Sequence, residues 1–406
     1  MREARERSRI IVGFGGFALI GVLAGGAGVV LPAQIDDYGV DKTTIGLTFI
    51  AFSTGYVLSA AANGALLHRF GVRAYLLLGA GILLAAAVLT GLRPSFALLV
   101  GLQLAMGFGG GALDAGLNAH LSTLPRSRAL LNYLHAFFGV GALLGPLIAA
   151  ALIARHVPWT SFFLLFAGLI VPVAFGILFL YPRGTPPVEE QSGPRLTSAL
   201  RHPGVLLAAL FLALYVGIEV SMGNWGFSFL TEQRQQTVLL AGWVVSGYWL
   251  GLTVGRFVLN RLAEWFGLGV AGLNAGCLAG IVGSALLVWL VPSGGAAVAG
   301  FVLLGFFLGP IYPITIAVVP RLAPAGLVAT AIGILVGVSV VGGAIFPWLV
   351  GAAAQRVGVW ALLPFTIGLA VLLGVVWWRI VRRLASAVAR SDLAASKIAD
   401  PAVADG

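Results

Sequence analysis

Apolar residues along the chain come in long blocks that short polar stretches separate. Each block has about 20 residues, the length that an α-helix needs to cross roughly 30 Å of hydrocarbon. We count about twelve blocks: 10–33, 44–67, 74–92, 95–121, 131–154, 159–181, 204–230, 238–261, 268–291, 296–319, 326–350 and 359–381. The period-two alternation of a membrane β-barrel is absent from the sequence. The pattern predicts an all-α membrane protein with twelve transmembrane helices.

The composition excludes a soluble fold, because 59% of the 406 residues are hydrophobic and only 9% are charged. The formal net charge of +10 suggests nucleic acid as a partner, but the positions of the charges argue against it. Of the 24 Lys and Arg residues, only Lys42, Arg93, Arg155, Arg234 and Arg356 fall on one side of the predicted spans. Because positive residues stay in the cytoplasm, the opposite side is cytoplasmic. We expect a multi-pass protein of the plasma (inner) membrane with both termini in the cytoplasm and no nucleic-acid partner.

The sequence also repeats itself. Residues 55–71, GYVLSAAANGALLHRFG, align without gaps to residues 251–267, GLTVGRFVLNRLAEWFG, at an offset of 196. The motif GFGGG (107–111) matches GFFLG (305–309) at an offset of 198. Parallel repeats of this kind are typical of transporters that rock two bundles around a central site.

The repeat divides the chain into four predicted parts. We expect an N-terminal six-helix bundle over 1–181 and a C-terminal six-helix bundle over 204–385. A cytoplasmic linker, 182–203, joins them, and a cytoplasmic tail, 386–406, is predicted to be disordered. A transporter is the interpretation that the duplication favours, and a non-transporting membrane sensor or scaffold is the alternative.

Two carboxyl groups lie well inside the predicted spans, Asp114 in the fourth and Glu219 in the seventh. A carboxylate at the centre of a membrane costs about 2.5–3.5 kcal/mol, which indicates a function. A neutral, hydrogen-bonded carboxyl that joins helices is the alternative for each. Burial disfavours the charged form of a carboxyl group, so a buried acid that meets water during a transport cycle is suited to carry a proton.

The fourth span places polar residues and glycines on one face. Gln103, Gly107, Gly110, Asp114 and Asn118 follow one another at steps of three or four residues, which puts them on the same side of a helix. We predict that this face lines a cavity. Asp114 and Asn118 are the predicted site of the coupling ion, either H+ or Na+, and Gln103 is a predicted substrate contact.

The remaining candidate contacts lie in the seventh and tenth spans. Glu219, Asn224 and Trp225 combine an acid, an amide and an indole, which suits a sugar because carboxylates and amides bind hydroxyl groups and an indole packs on a pyranose ring. An interfacial position is the alternative for Trp225. Tyr312, in the repeat partner of the fourth span, is a further predicted contact. Pro310 and Pro313 flank it and should interrupt the helix.

His135, near the cytoplasmic end of the fifth span, is a candidate proton relay because imidazole titrates near neutral pH. Its alternative role is that of a hydrogen-bonding partner. The sequence has no metal motif, catalytic triad or glycine-rich phosphate loop. We therefore expect no enzyme activity, no metal and no cofactor other than the coupling ion.

The duplicated plan resembles the major facilitator superfamily, and GALLHRFGVR (64–73) is similar to its loop signature, with His68 in place of the usual aspartate. Three segments, GGALDAGLNAHL (110–121), LLNYLHAFFGVGALLGP (130–146) and YVGIEVSMGNW (215–225), resemble the branch that contains fucose permease and the animal sodium-dependent glucose transporter. The resemblance implies the major facilitator fold, an acid with an asparagine four residues later, and a sugar as substrate.

These observations together predict a secondary active transporter that imports a monosaccharide by alternating access, in symport with H+ or Na+. An exporter of drug-like or metabolite molecules is the alternative within transport, because the GxxxGP of the fifth span partly matches an exporter signature. The expected partners are the sugar and the lipid bilayer, and the expected state is a monomer.

Overall fold

The computed structural model describes residues 2–183 and 195–399 of the chain. Within these ranges the chain is helical apart from short connections, which confirms the all-α class. The α-helices are α1 Arg2–Tyr38, α2 Lys42–Ile45, α3 Leu47–Gly91, α4 Phe96–Ser122, α5 Ser127–Ala154, α6 Thr160–Leu180, α7 Arg195–Leu200, α8 Pro203–Ser228, α9 Val238–Trp265, α10 Val270–Leu290, α11 Gly294–Leu308, α12 Ile311–Leu322, α13 Val328–Val357 and α14 Leu362–Ala399. A π-helical turn, Phe229–Gln233, continues α8.

Eleven stretches of the described residues are long and apolar enough to cross a membrane. One of them, Lys42–Gly91, has 50 residues and holds two predicted spans. At Gly71 its backbone leaves the helical region, with φ 75° and ψ 163°. The hydroxyl groups of Ser59 and Tyr75, on either side of Gly71, lie 3.4 Å apart, so the two limbs fold back on each other. The prediction of twelve spans is thereby confirmed.

The tenth predicted span is interrupted where its prolines predict. It consists of α11 and α12, with Gly309 and Pro310 between them. Proline has no N–H group to donate within a helix and its ring clashes with the preceding turn. The interruption places Tyr312 in the first turn of α12.

The internal repeat reappears as repeated helix contacts. Among the glycines at which a Cβ atom would overlap a backbone carbonyl oxygen of a neighbouring helix, four lie at matched positions of the two repeats. The pairs are Gly55 with Leu104, Gly107 with Phe52, Gly251 with Val302 and Gly305 with Tyr248. The last two pairs repeat the first two at the sequence offsets of 196 and 198. Gly71 and Gly267, also 196 residues apart, both have positive φ. The two six-helix repeats therefore share one packing scheme.

The two repeats meet through α1 and α8, α3 and α13, and α5 and α9. We call the end of the bundle at which α1 ends the outer end, and the opposite end the inner end. At the outer end, Lys42 Nζ lies 3.0 Å from Glu232 Oε2. The backbone N–H of Lys42 donates to Gln355 Oε1 at 3.0 Å. Both contacts join one repeat to the other, so the outer ends of the halves are in contact.

The predicted linker and the predicted tail are only partly covered by the described residues. The linker predicted over 182–203 lies partly outside the described residues, and its last part contains the short helix α7. Helix α14 extends to Ala399 and so includes the first part of the predicted tail, 386–406; the predicted disorder of the tail stays a prediction. Residues 400–406 lie outside the described residues.

Candidate functional site

Asp114 is held by two side chains of its own repeat. The Tyr56 hydroxyl group, on α3, donates a hydrogen bond to Asp114 Oδ2. Asn118 Nδ2 donates to Asp114 Oδ1 at 2.6 Å and to the backbone oxygen of Asp114 at 3.0 Å. Asp114 and Asn118, which the sequence predicts as a pair, are therefore in direct contact, because the 3.6-residue turn of a helix brings positions four apart together.

Asp114 faces the interface between the two repeats, which we call the seam, and not the lipid. Tyr312, on α12 of the second repeat, lies close enough to interact electrostatically with the Asp114 carboxyl group. Tyr56 covers the same carboxyl group from the first repeat. Asp114 as a whole residue is partly buried, and its carboxyl group is covered by Tyr56, Asn118 and Tyr312. The predicted role of Asp114 as the coupling site stays a prediction.

Glu219 lies among polar groups of the second repeat. Its carboxyl group interacts electrostatically with Arg256 of α9 and with the buried hydroxyl group of Tyr215, one turn earlier on α8. The Tyr248 hydroxyl group donates to the backbone oxygen of Glu219 at 3.0 Å. Tyr312 also interacts electrostatically with Glu219 and with Arg256. Tyr312 therefore lies within electrostatic range of both intramembrane acids, one in each repeat.

Buried donor groups without a hydrogen-bond partner within the described residues occur in this region, and two of them are nitrogen donors. They are Arg256 Nε and Trp249 Nε1. Trp249 packs edge-on against Phe138 of the first repeat, with ring centroids 6.4 Å apart, and its ring would meet a Cβ atom at Gly223 at 2.8 Å. An unpaired buried donor is costly, so both groups are suited to bind acceptor oxygens of a solute.

The predicted cavity face of α4 is only partly open. A Cβ atom at Gly110 would meet nothing within 4 Å, although Gly110 is buried. Gly107 instead packs on the backbone of Phe52 in α3, so it contributes to helix packing. Gln103 is partly buried and lies eleven residues before Asp114, roughly 16 Å along the helix axis. The structure thus separates Gln103 from the acid.

Asn224 and Trp225 follow Glu219 on α8, toward the outer end, where α8 packs against α1 of the other repeat. Asn224 is 8% exposed, and its Cα would lie 2.7 Å from a Cβ atom at Gly28 of α1. Trp225 is 1% exposed, and its indole N–H donates to the backbone oxygen of Pro347 at 2.8 Å. Phe49 packs edge-on against the same indole. These contacts give both residues a packing role here, while their predicted contact with substrate remains a prediction.

His135 occupies the seam from the side of the first repeat. It is exposed, packs edge-on against Phe17 with ring centroids 5.3 Å apart, and interacts electrostatically with Arg256 across the seam. No contact of His135 with Asp114 is present among the described residues. Its proton-relay role therefore remains a prediction.

The site also contains residues that the sequence analysis does not select, among them Arg256 and Tyr56. Arg256 lies inside the predicted span 238–261, although the count of positive residues by side places it with the cytoplasmic ones. A positive residue within an apolar span is the signal that identifies it. Tyr56 lies on α3, which packs against α4. Nothing in the spacing of the tyrosines along the sequence distinguishes it from the others.

The described residues contain no group of three or more His, Cys, Asp or Glu side chains that could hold a metal ion. The polar residues instead lie where the two repeats meet and include one carboxyl group in each. An all-helical membrane protein of twelve spans in two parallel repeats, with polar residues between the repeats inside an apolar bundle, has the architecture of a membrane transporter. The family model of the Major Facilitator Superfamily matches residues 13–236, so the chain belongs to the major facilitator superfamily.

Several known proteins are similar to this chain. Bypass of stop codon protein 6 of Saccharomyces cerevisiae is 27% identical over 391 residues, which cover 84% of this chain and 76% of that protein. An uncharacterized MFS-type transporter of Yersinia pestis is 27% identical over 322 residues, which cover 75% of this chain and 80% of that protein.

Two solved structures share the fold. A bacterial homologue of the human lysosomal transporter Spinster, in an inward-facing and unoccupied conformation, superposes with a TM-score of 0.78 at 15% identity and covers 95% of this chain and 98% of its own. The nucleoside transporter NupG superposes with a TM-score of 0.78 at 13% identity and covers 93% of this chain and 99% of its own. These likenesses confirm the predicted major facilitator fold.

Proposed function

We propose that the protein imports a small polyhydroxylated solute, a hexose-like monosaccharide, in symport with H+ or Na+ across the plasma membrane. The observation that carries the proposal is the placement of Asp114, a partly buried carboxyl group in the seam, hydrogen-bonded by Tyr56 and Asn118. A carboxyl group in this setting binds and releases a cation when the seam opens to alternate sides.

The donors and acceptors of the second repeat support a polyhydroxylated solute. Trp249 Nε1 and Arg256 Nε are buried donors without a partner, and Glu219 supplies an acceptor. A sugar hydroxyl group both donates and accepts, so one ring satisfies both kinds of group. Trp249 also offers an aromatic ring near the seam, a role that the sequence assigned to Trp225.

Export is the second candidate, and one observation bears on it. The glycines of the GxxxGP segment, Gly141 and Gly145, pack on the backbone of Ala18 and Val22 in α1. Helix packing therefore accounts for these glycines without an exporter role. Import is the direction that we propose, and the transport assay distinguishes the two.

The test is transport by purified protein in sealed liposomes. Labelled hexoses are supplied outside while an inward gradient of protons or of sodium is imposed, with matched liposomes that have no gradient as controls. Accumulation above equilibrium under one of the two gradients supports the proposal and identifies the ion. Gradient-driven extrusion of preloaded solute supports export. Absence of gradient-driven movement for every hexose overturns the sugar proposal.

A thermal-shift screen gives a second readout that does not depend on gradients. Hexoses that bind the folded state raise its melting temperature according to their concentration and affinity. The screen is performed with and without sodium at two pH values. A hexose that stabilises only in the presence of sodium identifies that ion, and no stabilisation by any hexose contradicts the proposed substrate class.

A further inference from the structure

A groove on the surface of the second repeat combines positive charge with apolar walls. It lies at the inner end of the bundle, where α8 begins and α14 leaves the apolar region, and has a volume of about 520 Å³. The lining residues are Pro203, Leu206, Leu207, Leu210, Trp378, Arg379, Arg382 and Arg383. None of the residues of the seam lines it, so the groove is separate from the transport site.

The apolar part of the groove faces the surroundings of the protein. Leu206 is 46% exposed, Leu210 44% and Trp378 51%. They project from two adjacent helices, α8 and α14, which pack against each other. In a membrane protein such side chains contact acyl chains, so the apolar walls of the groove face the hydrocarbon part of the bilayer.

The polar end of the groove attracts anions. Arg379 and Arg382 are both exposed and form no ion pair with a carboxylate among the described residues. The guanidinium group of Arg382 lies 3.8 Å from the ring centroid of Trp378, which fixes it above the groove. Pro203 begins α8, so the positive end of that helix dipole is at the same place.

We propose that this groove, which we call the α8–α14 groove, binds an anionic phospholipid. The phosphodiester group contacts Arg379 and Arg382, while one acyl chain lies along Leu206, Leu210 and Trp378. Arginine suits this task because its planar group donates two hydrogen bonds to one phosphate. The distribution of Lys and Arg along the sequence predicts that the inner end of the bundle is cytoplasmic. The groove would then lie in the cytoplasmic leaflet, where anionic lipids are enriched.

The experiment uses Trp378 as a reporter. The full-length protein is reconstituted into phosphatidylcholine vesicles that contain a small fraction of brominated phosphatidylglycerol or an equal fraction of brominated phosphatidylcholine. Bromine quenches tryptophan fluorescence at short range, and comparison with Trp378→Phe isolates the contribution of Trp378. We expect Trp378 to be quenched more by the phosphatidylglycerol than by the phosphatidylcholine. Equal quenching by the two lipids overturns the proposal.

Variants of the arginines test the role of charge. Arg379→Gln and Arg382→Gln should each lower the preference for phosphatidylglycerol roughly fivefold. Arg379→Lys and Arg382→Lys should each have a smaller effect than the glutamine variant, because lysine keeps the charge but loses the second hydrogen bond. A matched control is Arg126→Gln with Arg128→Gln, since these two arginines border another inner-end depression whose lining has no leucine or tryptophan. The control should leave the preference unchanged. An equal loss in the control overturns the site, because it would indicate attraction by diffuse charge.

Discussion

Lys42 and Glu232 form an ion pair between the two repeats, with Nζ and Oε2 3.0 Å apart. Lys42 lies in α2 before the first limb of α3, and Glu232 lies in the turn that continues α8. The two side chains are 20% and 40% exposed, so water screens their attraction. The pair therefore marks where the outer ends meet but supplies only a small part of the energy that holds them together.

Replacing Lys42 with Gln should open the outer end only slightly. An exposed ion pair contributes about 0.2–1 kcal/mol, so the closed population should fall by at most about fivefold. Spin labels at the exposed positions Asp36 and Gln233 report the separation of the outer ends by electron–electron double resonance. The exchanged pair Lys42→Glu with Glu232→Lys should restore the short distance, and an exchanged pair as open as Lys42→Gln would contradict the role of the ion pair.

Replacing Gly28 with Ala should open the same end strongly. A Cβ atom there would lie 2.7 Å from Asn224 Cα and would overlap the carbonyl oxygen of Gly223, both on α8. Overpacking costs about 1–3 kcal/mol, so we expect the closed distance to be largely lost with the same labels. The matched control is Gly168→Ala, whose Cβ would meet nothing within 4 Å. Unchanged distances in Gly28→Ala would mean that α1 and α8 do not define the closed end.

Asp114→Asn should abolish gradient-driven accumulation and leave some exchange of substrate. Asparagine keeps the size of the side chain and its contact with Tyr56, but it cannot take up and release a proton or neutralise a cation. Uptake and counterflow by the same liposomes separate the two activities. Tyr56→Phe, which removes only the donor, costs about 1 kcal/mol of hydrogen bonding and should reduce accumulation partially. Equal accumulation by Asp114→Asn and the parent protein refutes the coupling role.

Glu219→Ala should weaken hexose binding by about 10- to 100-fold, because a hydrogen bond to a charged group contributes about 1.5–3 kcal/mol. Isothermal titration calorimetry of the purified protein measures the dissociation constant. Glu264→Gln is the control, since Glu264 is exposed near the inner end of α9. An unchanged dissociation constant in Glu219→Ala removes this residue from the binding site.

Gly71→Ala should lower thermal stability. With φ 75° and ψ 163°, Gly71 occupies a backbone region that is almost restricted to glycine, and a side chain there costs about 1–3 kcal/mol. Gly64→Ala, one helical stretch earlier, is the control, because its Cβ would meet nothing within 4 Å and alanine favours a helix. A lower melting temperature only for Gly71→Ala is the expected result. Equal melting temperatures would show that the bend tolerates a side chain.

The fold could be predicted because it depends on features that a single sequence contains: long apolar blocks, an internal repeat and short local motifs. Apolar blocks of about 20 residues record the thickness of the membrane directly, and the repeat of 55–71 in 251–267 is read by alignment alone. The interruption beside Pro310 follows from the chemistry of one residue. The pairing of Asp114 with Asn118 likewise depends only on their spacing along one helix.

The rest of the site depends on which helices meet, and spacing along one helix does not contain that information. Tyr56 reaches Asp114 from α3, and Trp225 is enclosed by Pro347 and Phe49 of other helices. A count of positive residues on each side of the spans does not distinguish Arg256, which lies inside the predicted span 238–261, from residues of the cytoplasmic loops. Glu219 and Tyr215, the neighbours of Arg256, lie on a different helix.

The contact of Gly28 with Gly223 has a consequence for the medium in which the protein works. Closure at that point joins bare backbone to bare backbone, and dissolved ions screen charges but not close atomic packing. The closure of the outer end should therefore be almost as complete at high ionic strength as in dilute buffer. Only the Lys42 to Glu232 contribution would fade with added salt.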